Sequence, residues 1–291
     1  MSAMAQRKLL VGLIGAGIQQ SLSPAMHEEE ARFHGLRLHY QLIDLDRAGT
    51  GVEALPALLD AARNMGFAGL NITNPCKQAI IPVLDELSDE ARIMSAVNTV
   101  VFRDGRTIGH NTDGSGWGWA FRRAMPNADL TRVVLLGAGG AGSAIAHAAL
   151  RLGVAQLVVV DIETRRAAQL AKQLNQHYGS RTEAGVDVAT ALRGATGLIH
   201  ATPTGMDKLP GMPLPAQLLR PDLWVAEVVY FPIETELLKT ARARGCATMD
   251  GGGMAVGQAA GAFEFFTRMR PDVARMEAHF RQLLNARAGV A

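Results

Sequence analysis

Short apolar runs alternate along the chain with stretches whose apolar residues recur at helical spacing. Candidate strands are Leu9–Ile14, His39–Leu45, Gly69–Ile72, Val133–Leu136, Leu157–Val160, Gly197–His200 and Trp224–Glu227. Helical patterns fall between them, as at Ala54–Met65, Ala141–Leu152 and Thr164–Gln176. This alternation predicts an α/β fold, with mainly parallel sheets covered by helices on both faces. One stretch departs from it: residues 98–107, with Asp104-Gly105 in the middle, read as a β-hairpin. The glycine-rich Gly114–Gly118 marks an expected boundary, and a fresh βαβ unit runs from Arg132 to about Met249. The tail, Gly257 to Arg287, is helical by pattern and has no strand partner of its own. Two domains are therefore expected, residues 1–114 and 115–250, with C-terminal helices over 251–291 available to pack back on the first.

The run VVLLGAGGAGSAIAHAALRLG reads as strand, turn and helix, and Gly137, Gly139 and Gly142 fit G-x-G-x-x-G. The first two glycines permit a tight turn and close approach of backbone to a pyrophosphate; the third lets helix pack on strand. Phosphates would rest on the amides around Gly137, Ala138, Gly139, Gly140 and Ala141, at the helix N-terminus. The next strand ends in Asp161, nineteen residues past Gly142. A carboxylate there suits the ribose hydroxyls of NAD and repels the extra phosphate of NADP. The second domain is accordingly expected to be a Rossmann domain that binds NAD. Arg165 and Arg166 follow closely: they either serve a 2′-phosphate, or one stacks on adenine while the carboxylate holds the ribose. An earlier loop, LIGAGIQQSLSP, imitates the motif, but Gln20 stands where the third glycine belongs. It offers Ser21 and Ser23 ahead of a helix opened by Pro24. Two hydroxyls there suit a small carboxylate, and a plain helix cap is the equal alternative.

In GLNITNPCKQAII, Asn71 and Thr73 leave a buried strand, and Asn74 is expected to cap a helix starting at Pro75. Lys77 would then lie in the first helical turn, where the dipole opposes an ammonium, a setting suited to a general base. Asp113, in GHNTDGSG, either caps the following helix or turns its carboxylate toward a substrate. Asn98 is a polar residue in an apolar segment; a buried amide needs partners, and a polyhydroxylated substrate can supply them.

Composition narrows the functional classes. With 48% hydrophobic and 19% charged residues the chain can fill ordinary cores, and a net charge of +2 gives no field that would recruit nucleic acid or an anionic membrane. The two cysteines, Cys76 and Cys246, have no metal-type spacing and read as reduced cytoplasmic thiols. The N-terminal run MSAMAQRKLLVGLIGAG lacks a cleavage site and reads as a first strand, not a signal peptide. No apolar stretch nears the roughly 20 residues needed to span a bilayer.

Taken in order, SLSPAMH, GLNITNPCK, SAVNTVV, GHNTDGSG, GAGGAG, VVYFPIETELL and GGGMAVGQAAGAF resemble the shikimate/quinate dehydrogenase family over nearly the whole chain. With Asp161 at its position, the sequence looks most similar to the NAD-using quinate/shikimate dehydrogenases. The resemblance implies interconversion of shikimate and 3-dehydroshikimate, or of quinate and 3-dehydroquinate. It implies Lys77 and Asp113 as the catalytic pair, and Ser21 and Ser23 on the substrate carboxylate. Thr73, Asn98, Asp113 and Gln258 would hold the ring hydroxyls. Arg166, Thr202, Met206, Val228 and Gly251 would lie along NAD, and the C-terminal helices would return to the first domain. No metal is implied. Rival readings are a methylene-tetrahydrofolate dehydrogenase, which would need a folate-stacking Tyr that this sequence does not place near Lys77, and a glutamyl-tRNA reductase, which needs a nucleophilic Cys. A regulator that binds NAD or a ring acid without turnover is the rival outside enzymes. The sequence does not fix the assembly, for which a homodimer is the expectation.

Overall fold

The structure, a computed structural model, describes residues 7–288; the opening MSAMAQ of the N-terminal run lies outside the described residues. The chain divides into two compact units, one running to Thr112 and resuming at Val256, the other Asp113–Ala255. The first contains β1 (Lys8–Gly15), α1 (Ser23–Phe33), β2 (Arg37–Asp44), α2 (Leu45–Ala48), α3 (Leu55–Asn64) and β3 (Gly69–Ile72). It continues with α4 (Cys76–Ala79), β4 (Glu86–Leu87), α5 (Asp89–Met94), β5 (Thr99–Arg103) and β6 (Arg106–His110). Its sheet order is β2-β1-β3-β5-β6-β4. β1 pairs in parallel with β2 and β3, while β5 and β6 form the antiparallel hairpin. α3 buries Leu55, Leu59 and Ala62 at helical spacing against this sheet's core.

The second unit contains α6 (Asp113–Ala124), β7 (Arg132–Leu136), α7 (Gly140–Leu152), β8 (Gln156–Val160), α8 (Thr164–Tyr178) and β9 (Thr182–Ala184). There follow α9 (Val188–Ala191), β10 (Gly197–His200), β11 (Trp224–Glu227), α10 (Glu236–Ala243) and β12 (Thr248–Met249). Every pairing in the order β12-β11-β10-β7-β8-β9 is parallel. In sequence terms this is the 3-2-1-4-5-6 order of the doubly wound dinucleotide fold, with the strand order reversing between β7 and β10. RVVLL, QLVVV and WVAE are nearly continuous buried runs, as a sheet covered on both faces requires.

The stretch Gly114–Gly118, read as a boundary, lies inside α6. Its glycines disfavour a helix by about 1 kcal/mol each. Trp117 and Phe121 outweigh that: both are buried, stack at 4.9 Å and join the core around Trp224. The chain passes back into the first unit along α11 (Gly252–Thr267) and ends on α12 (Val273–Ala288). Ala262 and Phe266 of α11 pack with Val11, Leu13, Tyr40 and Val101 on the first sheet. α12 is tied to α1 through Arg275, whose Nε and Nη2 meet the buried carboxylate of Glu30 at 2.9 and 2.6 Å. Among the described residues no helix is long and apolar enough to cross a membrane.

Candidate active site

Asp44, the last residue of β2, holds the first glycine loop from within. Its carboxylate accepts from Gly17 N at 2.9 Å, Ile18 N at 3.1 Å and Gln19 Nε2 at 3.0 Å. Burial works to raise this carboxyl, but the Gln19 amide and the backbone amides of Gly17, Asp46 and Ile18 together hold it below the ordinary range. The loop delivers Ser21 and Ser23, both half-buried. Ser21 Oγ accepts from Ser23 N at 3.2 Å, while α1 has Leu22 at its cap position and no side-chain cap. Ser23 is therefore not the helix cap that its place before Pro24 allows.

From α1 a polar relay crosses the first unit. His27 Nδ1 donates to the Ser23 carbonyl at 2.9 Å, and its ring lies 4.9 Å from that of Tyr40. The Tyr40 hydroxyl donates to Asn71 Oδ1 at 2.8 Å, and Asn71 Nδ2 donates to the Asn98 carbonyl and to Thr99 Oγ1. Asn98 Nδ2 donates to Thr112 Oγ1 at 2.9 Å, and its Oδ1 accepts from Thr112 N at 2.9 Å and Thr99 Oγ1 at 3.0 Å. Thr112 Oγ1 in turn donates to the Gln258 carbonyl at 3.0 Å. The protein itself thus supplies partners for the Asn98 amide, so burial of that amide does not by itself require a substrate. Tyr40 and His27 were passed over in the sequence, although a Tyr and a His buried among apolar neighbours need polar partners.

Lys77 sits half-buried in α4, where its carbonyl accepts from Val97 N at 2.8 Å, next to Asn98. α4 differs from expectation. Asn74–Pro75 is a cis peptide, Pro75 rather than Asn74 precedes the helix, and no side chain caps it. The Asn74 carbonyl is engaged by Ala16 N at 2.9 Å, and Cys76 N turns back to Thr73 O at 2.8 Å. Four residues make a single turn, so the helix dipole expected to act on Lys77 is weak here. Thr73 leaves β3 with its N–H on the Ile14 carbonyl at 2.9 Å, beside the first glycine loop. Asp113, 4% exposed, follows Thr112 directly and opens α6. The relay and backbone bonds thus gather Ser23, Asn98, Gln258 and the Lys77 backbone within the first unit.

In the second unit, Gly137 has φ 102°, a left-handed backbone, and a Cβ there would lie 2.6 Å from the Ala201 carbonyl. A Cβ on Gly142 would come within 2.0 Å of the Gly137 carbonyl, so helix and turn touch only because that position is glycine. A Cβ on Gly139 would meet nothing within 4 Å. Protein packing does not demand glycine there, and the bare backbone leaves room for a ligand to approach closely. No side chain caps α7, which begins at Gly140. Together these features fit a pyrophosphate over Gly137–Ala141. Asp161 is half-buried; its Oδ2 accepts from Ala138 N at 2.7 Å and its Oδ1 from Glu163 N at 2.8 Å. Arg166 pairs with Glu163 at 2.8 Å, both well exposed.

Thr202 lies beyond the end of β10, 3.1 Å by its Cγ2 from where a Gly137 Cβ would stand. Met206 is 41% exposed on the loop that follows. Val228 N donates to Glu227 Oε1 at 2.8 Å, and Gly251 is buried tightly against the Val228 carbonyl. Sequence reasoning missed His200 and Glu227. They are the last residues of neighbouring strands, register partners and wholly buried, with His200 Nδ1 2.8 Å from Glu227 Oε1. Two candidate strands each ending in a titratable residue were the available signal.

Residues 13–100 match the model of the shikimate dehydrogenase substrate binding domain. A shikimate dehydrogenase (NADP(+)) of Streptomyces avermitilis is 58% identical over 288 residues, spanning 98% of this chain and 99% of that protein. The chain belongs to the shikimate dehydrogenase family. Within the family, a quinate/shikimate dehydrogenase (NAD(+)) of Corynebacterium glutamicum is 47% identical over 279 residues, 94% of this chain and 99% of its own. The solved quinate dehydrogenase of Corynebacterium glutamicum in complex with NAD superposes with a TM-score of 0.88 at 45% identity, covering 95% of this chain and 100% of that one. Names within the shikimate dehydrogenase family thus carry either nucleotide.

Proposed function

We propose that the protein is an NAD-dependent dehydrogenase that interconverts shikimate and 3-dehydroshikimate, or quinate and 3-dehydroquinate. The observation that carries the choice of nucleotide is Asp161, a half-buried carboxylate just past the end of β8, bonded to the glycine turn at Ala138 N. It offers acceptors to the ribose hydroxyls and repels a 2′-phosphate, while Arg166, the cation beside it, is engaged by Glu163. When bound, the oxidised nucleotide supplies the hydride acceptor. Lys77 Nζ takes the proton of the reacting hydroxyl, and Asp113 orients the lysine and the hydroxyl. Ser21 and Ser23 hold the substrate carboxylate. Thr73 and Gln258 hold ring hydroxyls, and Asn98 sets Thr112 and so the backbone leading into Asp113. The resemblance in motifs and the family membership support these roles. The thiol reading is disfavoured: burial pushes the Cys76 thiol up to about 11, so it stays protonated at neutral pH.

The test is kcat/KM for shikimate and for quinate, each with NAD and with NADP. Turnover with NAD in excess of NADP is expected. Lys77→Ala should lower kcat by about 10²-fold to 10⁴-fold, the usual worth of a general base, with NAD affinity retained. Near wild-type turnover in that variant would remove Lys77 from the mechanism. NAD binding with no turnover on either acid would favour the regulator.

A further inference from the structure

We propose that the buried His200–Glu227 pair is a positioning device that makes the Thr202 hydroxyl a hydrogen-bond acceptor toward the bound dinucleotide. This rests on the reading of the second unit as the nucleotide-binding unit. Glu227 Oε1, the atom facing His200 Nδ1 at 2.8 Å, already accepts from Val228 N at 2.8 Å and Val229 N at 3.0 Å. Backbone amides can only donate, so this oxygen is an acceptor and Nδ1 must carry the hydrogen. The other carboxylate oxygen accepts from the Thr235 hydroxyl at 3.0 Å, and Thr235 caps α10 through Leu238 N. The carboxylate is thereby locked from three sides. In the neutral ring Nε2 then has only its lone pair, and it lies 2.6 Å from Thr202 Oγ1. Thr202 must donate to it, which commits its one hydroxyl hydrogen to the interior.

What Thr202 has left is acceptor capacity, part of it taken by Thr204 N at 3.3 Å. Its place gives that polarity a use. Thr202 is half-buried where the strand order reverses, its methyl against the first glycine of the dinucleotide turn. In this fold ligands bind outside the carboxyl ends of the strands at that reversal. The dinucleotide has donors to offer there, a carboxamide on its nicotinamide half and hydroxyls on its riboses. A Thr with its hydrogen already directed inward accepts from either without first reorganising. A carboxylate and an imidazole with no exposure are expensive to keep buried for stability alone, since well-packed apolar side chains of similar volume are often as good.

The test uses the whole chain. With ¹⁵N-labelled histidine, nitrogen NMR should show His200 protonated at Nδ1 and not at Nε2, before and after saturation with NAD; assignment comes from the signal lost in His200→Phe. Dissociation constants for NAD are then measured by calorimetry. Thr202→Val should weaken binding about tenfold, the worth of one hydrogen bond, and Thr202→Ser should stay within about twofold of wild type. His200→Phe should weaken NAD to the level of Thr202→Val, and the double variant no further. Should His200→Phe fail to fold, the His200 signal is identified as the one that survives replacement of each of the other seven histidines by Gln in turn, and the Thr202 variants still decide. Repeating Thr202→Val with ADP-ribose, which lacks only the nicotinamide ring, locates the donor: a loss confined to NAD assigns it to the carboxamide, an equal loss to a ribose hydroxyl. A proton on Nε2, or unchanged NAD affinity in Thr202→Val, would overturn the proposal while wild-type binding stands. Failure of the wild type to bind either nucleotide would overturn the parent reading, and this one with it.

Discussion

Replacing Asp161 by Asn should both narrow the preference for NAD and loosen the glycine turn. A unit charge on a 2′-phosphate about 5 Å from the carboxylate would be repelled by ~3 kcal/mol at an effective dielectric near 20. Asp161 is only half-buried and salt screens it in part, so about 1–2 kcal/mol remains, roughly a tenfold change in preference. The structural effect is separate. The carboxylate accepts from Ala138 N and Glu163 N with different oxygens, and Asn has one oxygen to offer. One amide then faces an NH₂ group, at a cost of about 1 kcal/mol where water can step in. For a chain of this size that corresponds to a fall in Tm of about 2–4 °C. The assay is kcat/KM with NAD and NADP at fixed shikimate, alongside thermal melts. The ratio should fall about tenfold while the melt drops slightly. A ratio that does not move, with the melt lowered, would leave Asp161 as a fastening for the turn and nothing more.

Ser23→Ala should raise KM for the ring acid without changing Tm, measured by steady-state kinetics and calorimetry, because Ser23 caps nothing in α1. Gly142→Ala should abolish measurable NAD binding by calorimetry and lower Tm, since its Cβ would stand 2.0 Å from the Gly137 carbonyl. Burial holds the His27 imidazole down to about 4, whereas the unfolded chain protonates its histidines near 6.5. Between those values the unfolded state takes up a proton that the folded state refuses, so stability falls as pH drops from ~6.5 to ~4, by about 3 kcal/mol over the window. In His27→Phe, melts across that range should fall less steeply; parallel curves for the two proteins would refute this.

The strands were legible because parallel sheets covered on both faces impose long apolar runs: Gly69–Ile72, Gly197–His200 and Trp224–Glu227 end where the pattern ends. The dinucleotide turn was legible because Gly137, Gly139 and Gly142 lie within six residues of one another and their spacing carries the geometry. Contacts made across long stretches of chain were not. Asn74 is engaged by Ala16, Asn98 by Thr112, and Glu30 by Arg275, and local pattern records none of these pairings. α6 was legible only at its start, where Asp113 reads as a possible cap: its glycines speak against a helix locally, and the burial of Trp117 and Phe121 that decides the matter depends on Trp224. Asp44 and Asp161 looked alike at the ends of their strands, yet Asp44 takes three groups of the glycine loop beside it, whereas Asp161 takes one of its glycine turn, Ala138 N, besides Glu163 N.

The second unit is one unbroken stretch of chain, whereas the first is made of two pieces on either side of it. On the ribosome that order of parts has a consequence. The stretch from Asp113 to Ala255 emerges whole and can close on itself before synthesis ends. The first sheet must wait for Ala262, Phe266 and Arg275, the last of its partners to be made. At about 5–20 residues per second the wait is roughly 7–30 s, with the Glu30 carboxylate and one face of β1 and β2 uncovered meanwhile. The half of the enzyme that begins first is finished last, and its nascent form is the one that calls for chaperone protection.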